Sequence, residues 1–445
     1  MSDTKKRVYQ YLEEHQQELA EFLSKMIQFD TQNFGPHGPA VEAEAQEWLY
    51  GEFEKEGLIT EKLAYDEAGE RPNICGTLKG AGGGKDIMFH AHMDTGSIDE
   101  HLDWKYHPLS GHIDEELNVW GRGAVDDKGG IAAAFFAAKA IKECGIKLKG
   151  DVKVTSAVAE EECEGDLIGT GAVVRNMEKK PDLTISCEGT EMDFELCGST
   201  MTRFEMIIEG NGPFIACQNQ GLYPQHHSMP CGDQVFIDPF AKALPIIEML
   251  QRKARDWNLN FRHPVWGAGG VGGLDTNGLG LACINLCMIQ GGMLNCSILP
   301  NLSIHFRVNA NPDWSIEKIQ KEITDDIMAI ASTDSWLKEH PPILKWGTEV
   351  SYIDWPGHYL PMEHEYTQLC AGVFEELFDR KPVYSTGRCN DDAGWIAQYG
   401  VPAFTVGASG AARMHNVNEF IEIPRLCEAA KLYAGIMMEF CEIDE

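Results

Sequence analysis

The order of apolar runs along this chain predicts an α/β protein: a mixed, mostly parallel central sheet with helices on both faces, interrupted by a smaller α+β domain. Three observations carry that expectation. Short apolar runs alternate with helix-length amphipathic stretches in the first part of the chain. From about Met201 the rhythm changes to β-α-β-β-α-β, the order of a ferredoxin-like domain. After Pro356 the earlier alternation returns. At 445 residues the chain is too long for one ordinary core, so residues 1–199 plus 357–445 are expected to form one discontinuous domain and residues 200–356 an inserted one.

Residues 4–29 place Val8, Leu12, Leu19, Phe22, Leu23 and Met26 at helical spacing, which predicts one amphipathic helix. A second helix is expected over 40–56. Apolar runs at 74–78, 86–92, 151–159 and 183–187 read as strands, and an alanine-rich helix as 129–144. In the inserted domain, strands are expected at 203–208, 282–290, 302–308 and 348–353, with helices at 240–255 and 315–331. A helix over 363–378, a strand over 402–406 and a final helix after Pro424 complete the chain. Ligand sites in such sheets gather at the carboxyl ends of strands. His92, Glu160, Glu161, Glu162 and Glu188 all fall at such ends.

Composition narrows the function classes. With 43% hydrophobic and 24% charged residues the chain has the make-up of a soluble globular protein. It opens on the polar MSDTKKRVYQ instead of a secretory signal, and no apolar run approaches the roughly 20 residues that span a bilayer. The 14 cysteines include no CxxC pair, so a reducing cytoplasm is the expected location. A formal charge of -32 argues against nucleic acid and anionic membrane as partners, because both reward clustered Lys and Arg.

Acids and a histidine collected at strand ends are the material of a metal site. Held together without cations, they would repel one another and resist desolvation. His92 and Asp94 are two apart on an extended segment and point the same way, so His92 is expected to bind metal while Asp94 fixes its ring. In Gly121-Arg122-Gly123-Ala124-Val125-Asp126-Asp127-Lys128-Gly129-Gly130 the glycines permit tight turns, and Asp126 arrives just before the alanine-rich helix. Its two carboxylate oxygens suit it to bridge a metal pair. Glu161 and Glu162 are neighbours on a chain leaving a strand and point differently, so one can ligate while the other serves as general base. Glu188 supplies a further carboxylate. His415, in Met414-His415-Asn416-Val417-Asn418-Glu419, is a second histidine far downstream.

In this order the segments resemble the zinc-dependent peptidase and deacylase family that contains acetylornithine deacetylase, succinyl-diaminopimelate desuccinylase and the glutamate-releasing carboxypeptidase. HMDT matches the family's HxD, GRGAVDDKGG its GRGxxDxKGG, AEEE its DEE, CEGTE its EPT and HNVNEF its final histidine motif. The resemblance implies a di-zinc peptidase-like fold in which His92 and Glu188 hold one zinc, Glu162 and His415 the other, and Asp126 bridges both. Glu161 would be the general base and Asp94 the residue that tunes His92. Cobalt and manganese suit the same ligand types.

The resemblance makes the discontinuous domain catalytic and the inserted one a lid and dimerisation domain, so a homodimer is expected. A lid histidine that reaches the oxyanion is expected at His226, by its distance to Pro230, with His227 next. Asn295, Arg307 and Arg388 are the expected substrate-binding residues, Arg307 as a bidentate clamp on a carboxylate. The reaction implied is hydrolysis of the amide bond of a small-molecule N-acyl amino acid, in the manner of acetylornithine deacetylase. Short peptides cleaved by a dipeptidase or carboxypeptidase are the alternative substrates. A noncatalytic metal-binding homologue is the reading from another class, and retention of Glu161 argues against it.

Overall fold

The computed structural model describes residues 1–33, 41–161, 165–211, 228–231, 234–266, 281–292, 299–350, 354–387, 390–410 and 413–444. The chain divides into two compact units, Met1–Gly198 with His358–Glu445, and Ser199–Gly357.

In the first unit, helices α1 (Asp3–Glu14), α2 (Gln16–Ile27) and α3 (Ala43–Lys55) precede strands β1 (Ile59–Ala64), β2 (Pro72–Leu78) and β3 (Ile87–His92). Short strands β4 (His112–Ile113) and β5 (Asn118–Trp120) lead to α4 (Lys128–Glu143). Then come β6 (Val152–Ala157), α5 (Thr170–Asn176), β7 (Leu183–Ser186) and β8 (Phe194–Gly198). The second unit holds β9 (Thr200–Glu209), β10 (Ser228–Cys231), β11 (Gln234–Ile237), α6 (Pro239–Asn260), β12 (Cys283–Gly291), β13 (Asn301–Ala310), α7 (Ile316–Thr333) and β14 (Ile343–Trp346). The chain re-enters the first unit through β15 (His358–Tyr359), α8 (Glu365–Phe378) and β16 (Tyr384–Thr386). It ends with α9 (Ala393–Gln398), β17 (Ala403–Thr405), β18 (Phe420–Glu422) and α10 (Ile423–Phe440).

The large sheet of the first unit runs β1-β2-β6-β3-β7-β17-β8-β15, with β16 beside β8. It is parallel through β6, β3, β7 and β17 and antiparallel toward both edges, the expected mixed α/β sheet. Every residue of β3 is buried, and the two-residue period of a strand sorts its side chains between the faces. Met88 packs with Val174 of α5 and with Ala393 and Ile396 of α9. The ring of Phe89, one residue on, lies 5.1 Å from Tyr433 of α10. Both faces of the strand are therefore covered by helices. Helix α4 is buried around nearly its whole circumference, as a helix apolar on all sides must be. Its alanines and glycines allow close approach: a Cβ on Gly130 would stand 2.7 Å from Cys187 Cβ, just past β7.

In the second unit the order β9-α6-β12-β13-α7-β14 builds an antiparallel sheet of order β12-β13-β9-β14, the ferredoxin-like arrangement. Strand β13 alternates buried and less buried residues. The Phe204 and Phe306 rings stack 4.8 Å apart at its centre. A two-stranded ribbon, β10 with β11, lies between β9 and α6 in the chain.

Two expectations are corrected. The helix expected over 4–29 is two helices, because at His15 the backbone leaves helical geometry with φ -110 and ψ 15. The His15 ring stacks on Tyr11 and its Nδ1 meets the Tyr11 carbonyl at 2.8 Å. Of the strand expected at 348–353, residues 351–353 lie outside the described residues, and 347–350 form a 3-10 turn directly after β14. There Gly347 adopts φ 51 and Glu349 accepts a hydrogen bond from the Trp346 N–H, which turns the chain out of the strand. Among the described residues no helix is long and apolar enough to cross a membrane.

Candidate active site

Strands β6, β3 and β7 are neighbours and parallel, so their carboxyl ends open side by side. That places His92, the last residue of β3, beside Glu160 and Glu161 just past β6 and Glu188 just past β7. Asp126 and Asp127 arrive at the same edge immediately before α4. His415 comes from the loop between β17 and β18, where it adopts φ 56.

Two triangles of potential ligands result, each with its donor atoms within 4.8 Å of one another: His92 with Asp127 and Glu188, and Asp126 with Glu161 and His415. Asp126 joins them. Its Oδ1 lies 3.0 Å from His92 Nε2 and its Oδ2 3.2 Å from His415 Nε2, so each oxygen faces a different histidine. Glu161 Oε2 stands 3.5 Å from His415 Nε2, and its Oε1 accepts the Gly96 N–H at 2.6 Å. A Cβ on Gly96 would collide with the His415 ring at 2.4 Å.

The buried Asp94 organises this edge. The His92 Nδ1 donates to the Asp94 main-chain carbonyl at 2.9 Å, closer than the carboxylate at 3.5 Å, and that leaves Nε2 to face Asp126. The Asp94 carboxylate accepts the Asn33 amide and the main-chain N–H groups of Glu160 and Glu161. Beneath His92, on the same face of β3, His90 is held by Thr155 at 2.7 Å and by Asp392 at 2.9 Å. Thr170 also donates to Asp392. With both ring nitrogens engaged, His90 is a structural histidine.

The charges of the site are unbalanced. Burial, reinforced by the Asp126 charge, pushes the Glu161 carboxyl up to about 8. Burial also raises Glu160, Asp127 and Glu188 well above the usual carboxylate range. The hydrogen bond to Asp126 raises His415 to about 9. Burial would lower His92, but Asp126 and Asp94 hold it well above its ordinary value. Burial likewise opposes ionisation of Asp126, yet the two histidines keep it strongly acidic. Both carboxylate oxygens of Asp127 and Oε1 of Glu188 are buried without a hydrogen-bond partner. Oxygen and imidazole donors held this way, with buried oxygens lacking a donor, fit a pair of divalent cations.

Of the residues expected from sequence, the structure brings together His92, Asp94, Asp126, Glu161, Glu188 and His415. Glu162, His226, Asn295 and Arg388 lie outside the described residues, as does His227. Arg307 sits on β13 in the second unit, where its Nε donates to Asn309. Glu161 occupies the triangle that the resemblance gives to Glu162. Sequence reasoning assigned no role to Asp127, Asn33 or Gly96. Asp127 follows the bridging candidate directly, but adjacency alone does not distinguish a ligand from a cap. Asn33 and Gly96 act through a long-range bond and a missing side chain, and neither leaves a local signal.

Comparison with known proteins agrees with this geometry. The sequence profile of peptidase family M20/M25/M40 matches residues 88–439. An N-formyl-4-amino-5-aminomethyl-2-methylpyrimidine deformylase from Bacillus subtilis is 26% identical over 448 residues, 97% of this chain and 96% of the relative. A succinyl-diaminopimelate desuccinylase from Methylocella silvestris is 23% identical over 411 residues, 91% of this chain and 95% of the relative. Among solved structures, human carnosine dipeptidase 1 superposes with a TM-score of 0.72 at 13% identity, covering 99% of both chains. A dinuclear metal binding M20 peptidase from Bacillus subtilis, YXEP, gives 0.64 at 16% identity over 97% of this chain and all (100%) of its own. The chain belongs to peptidase family M20/M25/M40 and is a metal-dependent hydrolase of amide bonds.

Proposed function

We propose that this protein is a deacylase that removes a small acyl group from the amine of an N-acyl amino acid or a similarly small molecule. The observation that carries the catalytic part is Asp126, whose two oxygens face His92 and His415 and so sit between two ligand triangles. The choice of a small acyl group rests on the relatives matched along almost their whole length, which are named as a deformylase and a desuccinylase. Likeness to dipeptidases is a likeness of fold, and cleavage of short peptides is the second reading.

His92 and Glu188 would hold one cation, Glu161 and His415 the other, with Asp126 between them and Asp127 behind the first. Zinc, cobalt and manganese all suit these donors. Bound there, the cations would polarise the amide carbonyl and ease deprotonation of water. Asp94 keeps His92 in the tautomer that presents Nε2. With both Glu161 oxygens turned toward Gly96 and His415, the proton carrier is Glu160. Its Oε2 lies 3.9 Å from His92 Nε2, and a carboxyl raised by burial can take the proton of the attacking water and hand it to the departing amine. Ligand and base thus sit one residue earlier than the resemblance implies, at Glu161 and Glu160 in place of Glu162 and Glu161. His226, Asn295, Arg307 and Arg388 enter this reading through the resemblance, as lid and substrate contacts.

The second unit serves as lid and dimerisation domain. Its strand β12 is an edge of the sheet and exposes Leu286, Met288 and Ile289, a surface that pairing with a second copy would cover. Light scattering of the purified chain should give twice the monomer mass, and a monomer at micromolar concentration would remove the dimer.

Release of free amine from N-formyl, N-acetyl and N-succinyl amino acids, acetylornithine among them, and from dipeptides, with and without chelator, tests the activity. Chelator-sensitive cleavage of the acyl amino acids is expected. Cleavage of dipeptides alone would select the peptidase reading, and silence with two metals bound would select the noncatalytic one.

Glu160→Gln should retain both metals while losing about 10²–10⁴-fold in turnover, whereas Glu161→Gln should lose metal. The reverse pattern, read by metal analysis and rate together, would restore Glu161 as the base.

Because Glu161 and His415 bind protons up to about 8 and about 9 in the metal-free protein, a cation entering near neutral pH must displace them. Metal affinity should therefore climb as pH rises from about 7 toward about 9. Calorimetric titration of zinc in buffers of different ionisation enthalpy should show net proton release at pH 7, and heats independent of buffer would contradict ligation by these groups.

A further inference from the structure

Arg122 and Glu419 form an ion pair that the chemistry above does not use. Both are buried, 4% and 0% exposed, and Arg122 Nη1 meets Glu419 Oε2 at 2.6 Å across a sequence separation of 297. Each partner also grips main chain. Arg122 Nη2 donates to the carbonyls of His415 at 3.1 Å and Ser97 at 3.3 Å, and Nη1 also reaches that of Asn416 at 3.4 Å. Glu419 Oε1 accepts the N–H groups of Val125 at 2.9 Å and Asp126 at 3.3 Å, and its carbonyl accepts that of Gly121. The pair therefore joins three segments: the loop whose Gly96 N–H holds Glu161, the turn that presents Asp126, and the loop that presents His415. Among the described residues, none of its hydrogen bonds goes to His92 or Glu188.

We propose that the Arg122–Glu419 pair is a positioning device for the half of the metal centre formed by Glu161 and His415, setting how tightly that half binds a cation and reaching the His92 half only through the shared Asp126. This rests on the assignment of Glu161 and His415 as ligands. A buried ion pair is weak evidence for stability, since well-packed apolar residues often do as well. What apolar residues cannot do is carry a planar fork that fixes the carbonyls of two separate loops at once. The half it supports also needs help most. His415 is presented by a loop and is 55% exposed at its side chain, whereas His92 is set by a fully buried strand. Groups behind a metal ligand commonly change affinity by about 10–100-fold when altered.

Cobalt(II) titration of the chelated full-length protein, followed by calorimetry and by the visible spectrum of the bound ion, tests the inference. Arg122→Lys keeps the charge but cannot span Glu419 and the carbonyls, and Glu419→Gln keeps the shape but not the pair. In both, one equivalent should bind about 10–100-fold more weakly and the other should change much less, with the larger spectral change in the weakened equivalent. A folded variant in which both equivalents bind as in the parent, or in which both weaken alike, overturns the proposal. So does failure of both variants and of the charge-free Arg122→Met/Glu419→Gln double variant to fold, which would make the pair general scaffolding. His415→Ala separates the two levels. If it leaves both equivalents intact, the ligand assignment fails whatever Arg122 does. If it weakens one equivalent and the Arg122 and Glu419 variants do not, the positioning role alone fails.

Discussion

Negative charge gathered in a space with little water is the constraint on which this structure turns. Two like charges at 4 Å repel by about 4 kcal/mol even at an effective dielectric constant of about 20, more than several ordinary hydrogen bonds return. Asp126, Asp127, Glu160, Glu161 and Glu188 all meet at one sheet edge, and most of them are driven toward protonation by burial. The fold tolerates this because the histidines neutralise Asp126 from both sides, and cations held at the two triangles would complete the balance. Everything that brings the acids together, from the parallel order of β6, β3 and β7 to the glycines at the start of α4, works against that repulsion.

Rigidity around the centre comes from groups that bear no ligand role. Asp94 is fixed by an amide and two main-chain N–H groups, so it can serve as a stationary support for His92. His90 is locked between a threonine and Asp392, which anchors β3 one pleat below the site. Such supports let the proposed ligands keep their places when the charge around them changes, which is the condition for binding a cation without rebuilding the backbone.

Much of this was legible in the sequence where local pattern and chemistry coincide. His92 and Glu188 follow runs that read plainly as strands, and the change of rhythm near Met201 marks the ferredoxin-like segment. Roles within the run Glu160-Glu161-Glu162 are not legible, because three identical side chains leave one residue of uncertainty; the structure adds that Glu161 stands with Asp126 and His415. The break at His15 was hidden for a different reason: the apolar spacing continues across it, and the interruption comes from a ring contact with Tyr11. Strands β4, β5 and β18 are two or three residues long, too short for alternation to register. The link between Arg122 and Glu419 leaves no trace in either neighbourhood, since each reads as one charged residue within its own motif.

Strand β17 lies in the large sheet between β7 and β8, although it is encoded long after both, and α10 closes over α4 from near the end of the chain. On the ribosome, the amino-terminal part of the first unit must therefore wait with a gap in its sheet and a bare face on α4. The second unit, whose strands and helices are contiguous in sequence, meets no such delay. The hydrolase centre can close only once residues 403–440 have been made, so a chain interrupted earlier exposes apolar surface without carrying the activity.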